Sequence, residues 1–296
     1  MSSRVHVTHA NLLQPHGPVT VALVGAGGSG CQMLTGLGRL NHALRELGHP
    51  GLRAGVFDPD KVSASNVGRQ LYAPSDVGLY KAIVLTHRVN AHFGTDWEAY
   101  PERYEGQGVG TRPGASFSPD LIVSCVDTAA SRRGIHNLLV GGKAGYWRST
   151  LYWLDLGNRS RDGQVILGQP PSAVATRDRE RTRCGQLKPI LRLPMVTELF
   201  PELLDESLPE DDRPSCSLAE ALDHQDLYIN QAVVTWALHL LWSLFRDGQI
   251  GVHGYFVNLA EGRVNPLAVP DRPLPANRRA RKRARREAAA PAAAGA

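Results

Sequence analysis

Residues 19–30 read VTVALVGAGGSG. The first six are Val, Thr, Ala and Leu in a run too short for a helix, and a glycine ends it. That pattern predicts a buried strand. Gly25, Gly27 and Gly30 then fit GxGxxG, with Gly28 between them, and helical spacing of apolar residues follows until Gly48 and Pro50 stop it. The stretch therefore predicts strand, glycine turn and helix, the helix running from about Gly30 to Leu47. Glycines let a backbone approach a phosphate closely, and a helix N-terminus offers free N–H groups at a positive dipole end. By itself the motif suits NAD, FAD, SAM or ATP equally, or no ligand at all.

Working outward, LRAGVFD (52–58) reads as the second strand of a βαβ unit and ends in Asp58. Dinucleotide sites place their acidic residue about 20 positions beyond the glycines. Asp58 lies further along, but at the expected strand end. A polar loop leads to a helix over KAIVLTHRVNAHF (81–93), then to a weak strand in WEAYPERY (97–104). DLIVSCVD (120–127) is a strongly buried strand ending in aspartate, followed by a helix over 131–142.

From residue 146 the texture changes. YWRSTLYWLDLGN (146–158) and GQVILGQ (163–169) have β character and pair as an antiparallel extension. Residues 170–216, rich in Pro, Arg, Asp and Glu, read as a crossover loop. Residues 220–245 form the longest helical candidate, and 254–269 a hairpin turning near Glu261 and Gly262. The expected fold is α/β: a doubly wound, Rossmann-like, mostly parallel sheet with an antiparallel C-terminal extension. The division is an N-terminal segment (1–18), one domain (19–270) containing the crossover, and a tail (271–296).

The net charge of +5 over 296 residues is unevenly placed. The tail carries eight basic and two acidic residues, net +6, which leaves the fold near neutral at −1. Seven of those bases fall within 278–286. Such a block attracts nucleic acid without reading sequence, or simply solubilises the chain. No apolar run approaches the roughly 20 residues of a membrane helix, so no membrane partner is expected. The N-terminus lacks an apolar leader, so a cytoplasmic location is the default. Cys31, Cys125, Cys184 and Cys216 form no CxxC pair, which argues against a disulfide framework and against zinc.

FDPDKVSASNVGRQLYAPSDVGLYK (57–81) adds Asp58 and Asp60, then Asn66, Arg69 and Gln70, then Asp76, Gly78 and Lys81. With VSCVDTAASR (123–132), this ordered set resembles the ThiF/MoeB superfamily, relatives of ubiquitin-activating enzymes. YWLDLGN, GQVILG and SCSLAEALDHQDLYINQ further resemble the ThiF-family members of the bacterial PRTRC gene cassette. The resemblance implies ATP-dependent adenylation of a carboxylate, at the C-terminus of a ubiquitin-like or other small carrier protein. It also implies a homodimer.

Under that resemblance Gly25, Gly27, Gly28 and Gly30 hold the phosphates and Asp58 accepts from the ribose hydroxyls. Arg69 and Lys81 supply cations, Asn66 and Gln70 neutral hydrogen bonds, and Asp127 the Mg²⁺ carboxylate. Asp60 is a turn or supporting residue.

The pattern departs from the family at two places. The paired CxxC zinc motif is absent. Residues 1–18 offer only Arg4 where relatives carry an arginine motif, so Arg39 or Arg132 must compensate or the adenylation step is altered. A covalent intermediate, where relatives form one, uses a crossover cysteine. Cys216 matches best, with Cys184 as the alternative and two unreactive thiols as the bland reading. Cys31 and Cys125 are expected in the core. His87, His92, His136 and His239 show no ligand spacing. Competing readings are an enzyme adenylating a modified base in tRNA, a scaffold retaining the fold inside a mobile-element complex, and, least, an NAD-dependent oxidoreductase.

Overall fold

The computed structural model describes residues 4–106, 117–141, 150–173, 179–181, 187–189, 192–207 and 225–270. In chain order these give β1 (His6–Val7), α1 (Ala10–Leu13), β2 (Val19–Val24), α2 (Gly28–Glu46), β3 (Leu52–Phe57), α3 (Lys81–Phe93), β4 (Glu98–Tyr100), β5 (Leu121–Ser124) and α4 (Ala129–Gly141). There follow β6 (Tyr152–Asn158), β7 (Asp162–Gly168), β8 (Arg179–Arg181), β9 (Leu187–Pro189), α5 (Val196–Leu199), α6 (Ile229–Arg246), β10 (Gln249–Ile250), β11 (Val252–Asn258) and β12 (Arg263–Ala268).

Eight strands form one sheet in the order β12-β11-β7-β6-β5-β2-β3-β4. Strands β6, β5, β2, β3 and β4 run parallel, and β7, β11 and β12 continue antiparallel. This is the Rossmann-like α/β architecture with an antiparallel C-terminal side that the sequence predicts. Successive residues alternate between the two faces, as a strand requires. Val21 and Leu23 of β2 join one apolar cluster with α2, α3 and α6, while Ala22 and Val24 join a second with α4. Neighbouring β5 divides the same way, Leu121 and Val123 against Ile122. Both faces are covered, which is why these strands are continuous apolar runs rather than alternating ones.

Three elements differ from the expectation. β5 stops at Ser124 rather than running to Asp127. Only the Cys125 N–H still reaches β2, bonding the Val24 carbonyl, and Asp127 is released onto a loop. β6 is the last parallel strand, paired with β5, and only its hairpin with β7 turns the sheet antiparallel. α6 begins at Ile229, and the residues 220–224 that the periodicity included lie outside the described residues.

α6 buries Val233, Ala237, Leu240, Leu241 and Leu244 against the first face. Trp236 lies 4.8 Å from the Tyr255 ring on β11, His239 is exposed, and Tyr228 at the helix start is 63% exposed. The N-terminal residues pack on the end of this helix. β1 pairs with β10, and Leu12 is fully buried. The Thr8 hydroxyl donates to the Leu244 carbonyl at 2.8 Å, satisfying an acceptor that the last helical turn leaves free. Among the described residues no helix is long and apolar enough to cross a membrane.

Candidate functional site

The glycine turn leaves β2 between the ends of β3 and β5. The Gly25 N–H donates to the Phe57 carbonyl at 2.8 Å. Gly25 has φ +92°, and a Cβ there would lie 2.6 Å from the Cys125 carbonyl oxygen, so both conformation and space demand glycine. A Cβ on Gly30 would fall 2.0 Å from the Gly25 carbonyl oxygen. Gly27, the residue before α2, differs. Among the described residues nothing lies within 4 Å of its would-be Cβ, and no side chain caps the helix there. The first N–H groups of α2 are therefore left for solvent or a ligand at the open end. Gly28 is a glycine for another reason, because a Cβ would come within 2.7 Å of the Asn230 side-chain amide.

Asp58 stands directly behind this turn. It is buried, and its two carboxylate oxygens accept from Ala26 N at 2.6 Å and Asp60 N at 2.8 Å. Burial raises its pKa above the ordinary aspartate range, against the opposing pull of the Ala26 N–H and Lys81. The Tyr72 hydroxyl donates to the Ala26 carbonyl at 2.7 Å, so the turn is tied from both sides. Asp60 then holds Lys81 twice, its carbonyl taking the Lys81 N–H and its carboxylate the ammonium at 3.1 Å. The Lys81 side chain is only 11% exposed. A long cation is thus fixed by an exposed carboxylate at the start of α3.

The loop between β3 and α3 supplies the remaining polar groups. Asn66 is buried and its side-chain oxygen accepts from Ser63 N at 2.9 Å, closing a short helical turn. Asp76 receives two hydrogen bonds from Arg88 and one from Ala73 N, which anchors the loop on α3. Burial raises the Asp76 pKa, but the Ala73 N–H and the guanidinium outweigh it and hold the carboxyl below its usual range. Arg69 is half-buried, and burial lowers its pKa. Its Nη1 donates to Gln225 Oε1 at 2.8 Å, while its buried Nε has no partner among the described residues. Gln70 Oε1 is likewise buried and unpartnered. Two orphaned polar atoms on consecutive residues are the donor and acceptor that a polar ligand would satisfy.

Asp127 is exposed on the β5–α4 loop, and its carboxylate has no hydrogen-bond partner among the described residues. One free carboxylate suits Mg²⁺, which takes one or two such ligands and draws the rest from phosphate oxygens and water. The loop itself is held by Arg132. That arginine is buried, pairs with the fully buried Asp155 at 3.3 Å, and donates to the carbonyls of Val126 and Asp127. Asp155 also accepts from the Ser124 hydroxyl at 2.7 Å. Arg132 is therefore spent inside the fold and cannot stand in for an arginine reaching another subunit. Arg39 is exposed on α2.

Cys31 lies buried in the first turns of α2, where desolvation pushes its pKa up to about 11. Burial raises the Cys125 thiol as well. Cys31 is a core thiol and Cys125 a half-buried one packed against the core, and burial disfavours the thiolate in both. Cys184 and Cys216 lie outside the described residues, as do the basic block at 278–286 and residues 174–178, 182–186, 190–191 and 208–216 of the crossover.

Three residues without a motif of their own complete the site. Ser29 Oγ donates to Asn230 Oδ1 at 2.9 Å, and Asn230 Nδ2 approaches Gln225 Oε1 at 3.3 Å, the same oxygen that Arg69 holds. Their separations of 201 and 156 residues from Ser29 and Arg69 hide them from any local pattern.

The ThiF family model matches residues 17–280. The chain belongs to the ThiF family. Among solved structures, E. coli MccB with MccA (TM-score 0.52, 12% identity) and MccB with ATP (0.52, 11%) each cover 90% of this chain and 67% of their own. PaaA is 14% identical at TM-score 0.48, with 85% of this chain and 64% of PaaA covered. The chain thus spans about two thirds of the length of these neighbours. No curated protein sequence matches the chain.

Proposed function

We propose that this ThiF-family protein adenylates a carboxylate at the expense of ATP. The observation that carries the reading is the convergence on one uncapped helix start of Asp58, the Asp60-held Lys81 and a half-buried Arg69 with an unpartnered Nε. A carboxylate oxygen of the acceptor attacks the α-phosphorus. The bond from that phosphorus to the bridging oxygen breaks, pyrophosphate leaves with the electron pair, and an acyl adenylate results. No proton needs to move, so catalysis consists of positioning and of compensating the charge that develops on the phosphates.

In this reading the N–H groups beside Gly27 take the phosphates and Asp58 accepts from the ribose. Arg69 and Lys81 face the departing pyrophosphate, and Asn66 and Gln70 add neutral bonds. Asp127 holds Mg²⁺, which when bound neutralises phosphate charge. A buried Asp58 anchored by two backbone N–H groups keeps a fixed geometry for hydroxyl donors.

The acceptor we infer is the C-terminus of a small carrier protein, met by a homodimer in the cytoplasm. The neighbour MccB was crystallised with MccA and with ATP, which supports a small protein or peptide partner. Transfer to Cys216 as a thioester, kinship with the PRTRC-type members, and nucleic-acid retention by the 278–286 block are finer elements of the proposal. Pyrophosphate exchange into ATP, dependent on an added acceptor, tests the reaction. Exchange should vanish in Asp127→Ala and survive in Cys216→Ala. A protein that shows no ATP binding by calorimetry would overturn the whole reading.

A further inference from the structure

We propose that Gln225 and Asn230, at the entry to α6, are positioning residues that hold the Arg69 guanidinium in register with the first turn of α2. The inference rests on the nucleotide reading above and assigns two residues to the recognition of a phosphate-bearing ligand.

Gln225 Oε1 is a shared acceptor, taking Arg69 Nη1 at 2.8 Å and approached by Asn230 Nδ2 at 3.3 Å. Asn230 is buried, and its own oxygen takes the Ser29 hydroxyl at 2.9 Å. Its amide fills the space beside Gly28 so closely that a Cβ there would lie 2.7 Å away. The amide therefore cannot swing without meeting the glycine turn. Arg69, Gln225, Asn230 and Ser29 form one continuous chain of polar contacts, ending at the cation on one side and at the uncapped helix start on the other.

The chemistry of the link distinguishes positioning from simple packing. A glutamine oxygen orients a guanidinium without cancelling its charge, so the full positive charge stays available to an anion. A carboxylate at the same place would form an ion pair and satisfy the cation internally. Among the described residues the guanidinium is also held on one side only, with Nε buried and unpartnered. A purely structural arginine at this depth would be expected to find acceptors for all its donors. A neutral tether and an unpartnered buried donor together describe a cation positioned to meet an anionic ligand.

The test is calorimetric titration of the full-length protein with MgATP. Gln225→Glu should weaken binding about tenfold by pairing with Arg69 and competing with phosphate. Gln225→Met, which keeps length and loses the acceptor, should weaken it about threefold, with the melting temperature of the ligand-free protein unchanged. In an Arg69→Met background, Gln225→Glu should have little further effect, because its target is gone. Wild-type affinity in Gln225→Glu, or an equal loss with and without Arg69, would overturn the relay while leaving the nucleotide reading intact. Absence of MgATP binding to the wild-type protein would overturn the nucleotide reading and the relay together. Guanidinium ¹⁵N spectra report the tether separately: Arg69 Nη rotation should be slowed in the wild type and freed in Gln225→Met.

Discussion

Residues 19–81 and residues 225–246 contribute to one site by opposite means. In the first region the decisive contacts are local in sequence or enforced by the backbone. Asp58 bonds the turn at Ala26, Asp60 bonds Asp58, and Lys81 bonds Asp60. In the second region nothing local announces a role. Gln225 and Asn230 act because the packing of α6 brings its start against α2 and Arg69. A motif can be written where backbone geometry restricts the choice of residue. Where helix packing sets the geometry, residues of ordinary type acquire a function from distance alone.

The largest expected effect separates the two regions at the glycines. Gly30→Ala should prevent the turn from forming, since its Cβ would sit 2.0 Å from a backbone oxygen that has no room to retreat. A stability loss of about 3 kcal/mol in urea unfolding is expected, and a variant as stable as wild type would show that the turn has room for a side chain at this position. Leu241→Ala acts on the other region. The side chain is fully buried beneath α6, and its removal should cost about 3 kcal/mol. If helix packing positions Gln225 and Asn230, MgATP affinity should fall with it even though Leu241 meets no polar group of the site.

A smaller effect is expected at the anchor of the polar loop. Asp76→Asn should cost about 1–2 kcal/mol, discounted for the partly exposed Arg88. The depressed carboxyl stabilises the fold above the unfolded aspartate pKa of about 3.9, and that contribution is lost as pH falls through the lower folded value. Wild type should therefore lose more stability than the variant as pH falls through this range, and the two should converge once the carboxyl is protonated.

Gly27→Ala should cost about 1 kcal/mol or less, the difference between glycine and alanine before a helix, because its Cβ meets nothing. It should nonetheless weaken MgATP binding. Unchanged affinity would place the phosphates elsewhere. The smallest effect concerns Asp58, whose pKa is raised by burial. Ribose recognition needs the ionised form, so MgATP affinity should begin to fall at a higher pH than for an ordinary aspartate. Titrations across the acid range would detect the inflection.

Much of this was legible in the residues themselves. The turn at 25–30, the strand ending at Asp58 and the helix over 81–93 follow from apolar runs, glycines and caps whose constraints act over a few bonds. Lys81 begins α3, and Phe93 closes it before Gly94 in the left-handed conformation. The parallel pairing of β6 was not legible, because a β-rich run is equally compatible with either direction. The commitment of Arg132 was hidden as well. An arginine after a strand-end aspartate looks available until Asp155, 23 residues later on β6, takes it.

The sequence by itself determined that a strand, a glycine turn and a helix present free N–H groups beside an aspartate, since steric and hydrogen-bonding rules along a short backbone admit little else. Only the tertiary structure decided which arginine is free and which is spent. It also decided why Gly28 must lack a side chain, and that Gln225 and Asn230 belong to the site. Those outcomes depend on how helices and strands distant in the chain pack against one another, a balance of many weak contacts that no local stretch contains.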